Sequence, residues 1–164
     1  MKFKYSFKKE LGNARDMVKN PGEYKGLRSV VWPSFSQVSY LRCVALGYLS
    51  ILPIYLLWLR YEKEVRLGFK KVGLEFPKVN CYLYNFGCEG WFDTDDQSIH
   101  TRFTKTNYKE ILETIIHESV HLSTYKPEDN YVQREKIVDD YLEKMDFKFI
   151  NFKRQRLSYE EISV

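Results

Sequence analysis

The chain has 164 residues, 44% of them hydrophobic and 16% aromatic. That suits one packed domain with an appendage and argues against global disorder. The formal net charge of +4 comes from lysines and arginines that are dense before residue 80 and follow no nucleic-acid-binding module, so nucleic acid is not an expected partner and an anionic membrane surface fits better.

The amino terminus, Met1-Lys2-Phe3-Lys4-Tyr5, does not continue into an apolar segment, so no cleavable secretory signal is expected. Phe7 to Val18 predicts a short amphipathic helix that ends at the turn chemistry of Asn20-Pro21-Gly22. Gly26 to Trp32 reads as extended, closed by Pro33. Residues 1–36 are thus a basic amino-terminal arm, either packed on the rest of the chain or lying on lipid.

Residues 37–61 form an apolar helix. No charge occurs from Cys43 to Leu59, and Arg42 and Arg60 bracket the run. Tyr40, Trp58 and Tyr61 stand near its ends as an aromatic belt would. The run is at the short limit for a membrane span, extended by snorkelling arginines. Gly47 and Pro53 suit a membrane helix better than a soluble one. The competing reading is a fully buried core helix, kinked or broken at Pro53. Arg60, Lys63, Arg66, Lys70, Lys71 and Lys78 follow the run, so the positive-inside rule puts the remaining domain on the cytoplasmic or matrix side. The cysteines agree with a reducing compartment. Cys43, Cys81 and Cys88 are odd in number and irregular in spacing, with no Cys-x-x-Cys pair.

Residues 60–72 continue as a charged helix with Tyr61, Val65, Phe69 and Val72 at helical spacing and Gly73 as its cap. Val79 to Tyr84 reads as a strand, and 87–90 and 93–96 as turns. Asp93, Asp95 and Asp96 lack the glycine and distal glutamate of an EF-hand loop, which predicts a solvated turn. Ser98 to Phe103 alternates as a strand with Ile99, Thr101 and Phe103 on its buried face. His100 and Arg102 fall on its polar side, and His100 reads as a plain strand residue or a substrate-side hydrogen bonder rather than a metal ligand. An extended substrate could pair with the edge of this strand.

Asn107 and Glu110 form a capping-box pattern that opens the next helix. Within it stands His117-Glu118-Ser119-Val120-His121, an H-E-x-x-H pentad in an apolar setting. Residues four apart share one helical face, so His117 and His121 can bind one metal ion. Glu118 is turned by about 100°, within reach of a water at that metal. Catalytic zinc needs a third protein ligand, and no histidine follows His121. The last helix, from about Asn130 to Met145, carries a stripe of Tyr131, Val138, Leu142 and Met145. Glu135 falls on that stripe, where a carboxylate is costly unless paired or metal-bound. Glu135 is the predicted third ligand, and Asp139 the alternate or the partner that orients a histidine. Asp140 points further round. Zn2+ is the expected cofactor, Glu118 the general base, and Tyr125, Tyr131 and Tyr141 are candidate oxyanion donors.

These residues resemble the zincin metallopeptidases, and among them the gluzincin-like group with a glutamate as third ligand. The resemblance covers about residues 60–145 and is closest to small minimal versions found in phages and bacteria. It implies zinc at His117, His121 and Glu135, with Glu118 as catalytic base. The gap from His121 to Glu135 is shorter than in thermolysin-like members, and no Asn-Glu-x-x-Ser pattern surrounds Glu135. The metzincin third histidine is absent. Residues 1–59 match no family.

The expected fold is therefore α+β, with a small sheet packed on an active-site helix and the helix after it. An apolar helix, readable as transmembrane, precedes them, and residues 62–164 make the zincin-like domain. The expected function is hydrolysis of a peptide or protein substrate at a membrane. The alternatives are a non-catalytic zincin-fold subunit of a larger membrane assembly, and a soluble cytoplasmic peptidase with a buried apolar helix.

Overall fold

In the computed structural model, residues 1–25, 30–33, 37–103, 106–150 and 152 are described, residues 37–43 by backbone alone. The elements in order are β1 (Lys2–Tyr5), α1 (Phe7–Lys19), α2 (Pro21–Tyr24), α3 (Gln37–Lys71), β2 (Asn80–Tyr84), β3 (Gly90–Asp93), β4 (Ser98–Arg102), α4 (Tyr108–Thr124) and α5 (Tyr131–Met145). The fold is α+β. Its sheet has the order β1-β2-β4-β3, with β1, β2 and β4 parallel and β3 antiparallel to β4.

The amino-terminal segment does more than form an arm. Lys2-Phe3-Lys4-Tyr5 alternates with the strand period and pairs in register with Asn80 to Leu83. Phe3 and Tyr5 then face α3, with Phe3 6.3 Å from the ring of Trp58 and Tyr5 5.1 Å from that of Tyr48. α1 begins at Ser6, whose hydroxyl accepts from the Lys9 amide. Its buried residues Glu10, Ala14 and Met17 recur at helical spacing. Glu10 accepts hydrogen bonds from the Asn85 backbone (3.0 and 3.2 Å) and side-chain amide (3.1 Å). The apolar side of α1 is therefore spent on protein, not on lipid. Pro21 starts α2 at the predicted turn, because a first helical turn needs no N–H there. Of the predicted extended piece, 26–29 lie outside the described residues, and Val31 forms an isolated bridge with Gly87.

α3 is one continuous helix through Pro53, and it is long and apolar enough to cross a membrane. It is neither wrapped by protein nor free of it. Ile54, Trp58, Val65 and Phe69 are buried, while Leu49, Leu52 and Leu56 are 70, 62 and 56% exposed. The fully buried reading is thus overturned, for want of protein on the outer side. The aromatic belt is overturned too: Trp58 packs on Phe3 and Phe76, and Tyr61 stacks on Phe149 at 4.4 Å. The side chains of Tyr40 and Cys43 lie outside the described residues. Gly73, at φ +76°, ends the helix in the left-handed conformation that glycine tolerates best.

β3 lies where the sequence suggests only two turns. It takes the edge of the sheet and leaves β4 inside, so β4 has no free edge for a substrate. All five residues of β4 are buried, including His100 and Arg102. The alternation of Ser98 to Arg102 predicts one wet face, but α1 covers that face and α4 the other. α5 begins with a capping box between Asn130 and Gln133. Val138, Leu142 and Met145 are buried as predicted, whereas Tyr131 at the helix start is 52% exposed.

The division of α3 into a packed and an outer face has a measurable consequence. Phe69→Ala should cost about 3–5 kcal/mol by opening a cavity. Leu67→Ala, at a 55% exposed site, should stay within about 0.5 kcal/mol. Urea unfolding of the two variants compares them directly, and similar losses would contradict the packing of α3.

Candidate metal centre

The capping box at Asn107 and Glu110 fixes where α4 begins. Eleven consecutive residues, Ile111 to His121, are then buried. The sheet lies on one side of them, α3 and α5 on others. The local hydroxyls are satisfied within the helix, Ser119 Oγ donating to the Ile115 carbonyl at 2.6 Å. The histidines have no such recourse and need a partner from elsewhere.

α5 supplies it. Burial of Val138, Leu142 and Met145 turns Glu135, three residues before Val138, towards α4. Its carboxylate lies 3.0 Å from His121 Nε2 and 3.4 Å from His117 Nε2. The two Nε2 atoms are 3.0 Å apart. Four-coordinate zinc with nitrogen and oxygen ligands at about 2.0–2.2 Å implies ligand separations of roughly 3.4 Å. The two nitrogens meet different oxygens of the carboxylate, and one ligand atom from each residue lies within 4.8 Å of the others, close enough to share one ion. At the distance between the two nitrogens one Nε2–H can donate to the other, and a bound cation could take the place of that proton. The donor set of two imidazoles and a carboxylate fits zinc.

The electrostatics agree. Burial alone would raise the pKa of Glu135, but hydrogen bonding and charge from His117 and His121 reverse this and hold it at about 2. Burial disfavours charge on His117, yet Glu135, Glu118 and Asp139 outweigh it and raise its pKa. The pocket is an acidic one that favours a positive charge. Glu118, 8% exposed, has its pKa raised, chiefly by burial, with the histidines opposing.

Asp139 lies near enough to act on His117 by charge. His117 Nδ1, buried, has no hydrogen-bond partner among the described residues, so Asp139 acts on that ring by charge and not by a bond to this nitrogen. The three tyrosines separate. Tyr131 lies near Glu135, and partial burial together with the charges of Glu135 and Glu118 raises its pKa to about 12. Tyr125 sits edge-on to Phe92 at 5.6 Å. Tyr141 packs at the margin of the hydrophobic core.

Three neighbours escape a reading of the sequence alone. Phe92 of β3 stacks on His121 at 5.2 Å and 14°, fixing the ring. Gly90 brings the β3 backbone against α4: a Cβ there would collide with Thr114 and come within 3.2 Å of Glu118 Oε1. Cys88 lies close enough to Glu118 that burial and this charge raise its pKa to about 11. The aromatic pair Trp91-Phe92 between two turns was the available signal for a strand.

Asp93, Asp96 and His100 form a second group with ligand atoms within 4.8 Å. Their hydrogen bonds are already made. Lys9 Nζ bonds Asp96 at 2.6 Å, and Ser98 Oγ joins Asp96 to His100. His100 Nδ1 meets the Tyr84 hydroxyl at 3.0 Å, and its ring stacks between Trp91 and Tyr82. This is a structural network beneath α1. Among family models, curated proteins and solved structures, none matches the chain.

Burial, then the charge of Lys9, lowers the pKa of His100 to about 4 from an ordinary 6.5. Between those values the unfolded chain binds a proton that the folded chain does not, so stability rises with pH and is lost as pH falls through this range. Relative to His100→Asn, the wild type should lose up to about 3 kcal/mol as pH drops from about 6.5 to about 4. Parallel stability–pH curves for the two proteins would contradict the assignment.

Proposed function

We propose that the chain is a zinc-dependent peptidase of the zincin type, with α4, α5 and the small sheet as its minimal catalytic domain. The observation that carries this reading is the convergence of His117, His121 and Glu135 from two helices, beside the buried Glu118. Zinc bound there would supply Lewis acidity and lower the pKa of a water towards about 7.

The remaining chemistry belongs to side chains. Glu118 is suited to take a proton from the attacking water on its carboxylate and to deliver it to the leaving amine. Its raised pKa brings it closer to the working pH, which makes both transfers easier. Tyr131, partly exposed beside Glu135, is the phenol suited to donate to a developing oxyanion. β3 is the last strand of the sheet among the described residues, so its outer edge can pair with an extended peptide, and Gly90 lets that edge lie close to Glu118. The basic residues after the apolar part of α3 favour an anionic membrane surface, such as a cytoplasmic or matrix leaflet presents, beside the domain.

Glu118→Gln should lower peptide cleavage by at least about 100-fold with zinc content unchanged. Equal cleavage by this variant and the wild type would leave only a non-catalytic role for the fold. Glu135→Ala should weaken zinc binding more than Asp139→Ala, whose effect should be about 10- to 100-fold. Metal titration with a competing chelator gives the order, and the reverse order would remove Glu135 as a ligand. Gly90→Ala should depress cleavage while zinc stays bound, because the added methyl pushes β3 off α4. Unchanged turnover would deny β3 a part in substrate binding.

A further inference from the structure

We propose that the outer face of α3 docks on an anionic lipid bilayer from one side, without crossing it. At 100° per residue, Tyr48, Leu49, Leu52, Tyr55, Leu56 and Leu59 share one side of the helix, and all are 40% or more exposed. The opposite side holds Ile54, Trp58, Val65 and Phe69 in the core. Continuing along the outer side, Arg60, Lys63 and Lys70 are exposed and point the same way. Arg66 lies among them and is bonded to Glu62 at 2.7 Å. One stripe therefore runs from apolar with two tyrosines to basic, the sequence of chemistry met on going from acyl chains to anionic headgroups.

A crossing is opposed by what packs behind the same turns. The Tyr5 ring lies tight against Gly47, and Phe3 lies 6.4 Å from Tyr55. β1 and the sheet thus flank the very residues a span would submerge. An open sheet with Lys2 and Lys4 on its first strand cannot enter hydrocarbon, because its backbone groups would go unpaired. Detaching β1 would also strip the core around Trp58. Only the outer half of the helix is available to lipid. The basic turns select an anionic surface over a second copy of the chain, since a parallel pairing of two such faces would bring like charges together.

The test uses the full chain and vesicles of phosphatidylcholine with or without phosphatidylglycerol. The protein should float with the mixed vesicles at low salt and lose at least about tenfold in partition at high salt. It should partition far more weakly to phosphatidylcholine alone. Leu52→Glu/Leu56→Glu should abolish flotation, and Lys63→Glu/Lys70→Glu should reduce it at least about tenfold. Both pairs are exposed, and unchanged circular dichroism would show that the fold survives. Alkaline carbonate should release the bound protein. Retention through carbonate would establish a span and overturn the proposal. So would flotation indifferent to phosphatidylglycerol, or no flotation with a stripe-dependent dimer in sedimentation. Glu118→Gln should float as the wild type does, so the outcome is separate from that for peptidase activity.

Discussion

A helix buried on every side must find partners for the polar side chains it carries, and α4 carries six within its buried run: Glu113, Thr114, His117, Glu118, Ser119 and His121. The threonine and serine are short enough to bond locally. The two histidines are not, and they face the one direction in which α5 presents a carboxylate. Desolvated imidazoles and a desolvated glutamate are costly apart and tolerable together. The docking angle of α5, the stacking of Phe92 and the approach of Gly90 all serve the arrangement of this cluster.

The sheet keeps the two sides of the molecule distinct. Towards α4 and α3 it presents Phe3, Tyr5, Cys81, Leu83, Ile99 and Phe92. Towards α1 it presents Tyr82, Tyr84, Trp91 and His100. The first side is an apolar core that opens at its margin into the candidate metal centre. The second is a polar aromatic layer in which hydrogen bonds replace dispersion as the specific contact. Glu10 belongs to that layer, and its raised pKa, set chiefly by burial and opposed by Asn85, shows how closely α1 is seated.

α3 joins these layers to the outside. Its inner stripe completes the core beneath β1 and α4, and its outer stripe is the largest apolar feature left uncovered among the described residues. Such a patch on a soluble surface generally marks an interaction site. The helix is scaffold on one side and bare on the other, so a core helix alone does not account for it.

Local rules made much of this legible in the sequence. The capping residues Asn107 and Asn130 place the starts of α4 and α5, and Gly73 and Lys126-Pro127 the ends of α3 and α4. Helical spacing puts His117 and His121 together and Glu135 on the stripe with Val138. These are contacts between neighbours in the chain, or between a residue and the buried side of its own element, and period alone determines them. Partners distant in the chain were decided by tertiary structure. β1 pairs with β2 across more than seventy residues, so Lys2 to Tyr5 gives no local sign of being a central support. β3 is four residues long, too short for alternation to register. His100 is buried because α1 returns over its face, and the polar side of an isolated strand gives no notice of that. Whether the long helix is surrounded, bare or half-covered depends on what packs against it. The sequence determines its length and its charges, and only the sheet behind it decides which side remains exposed.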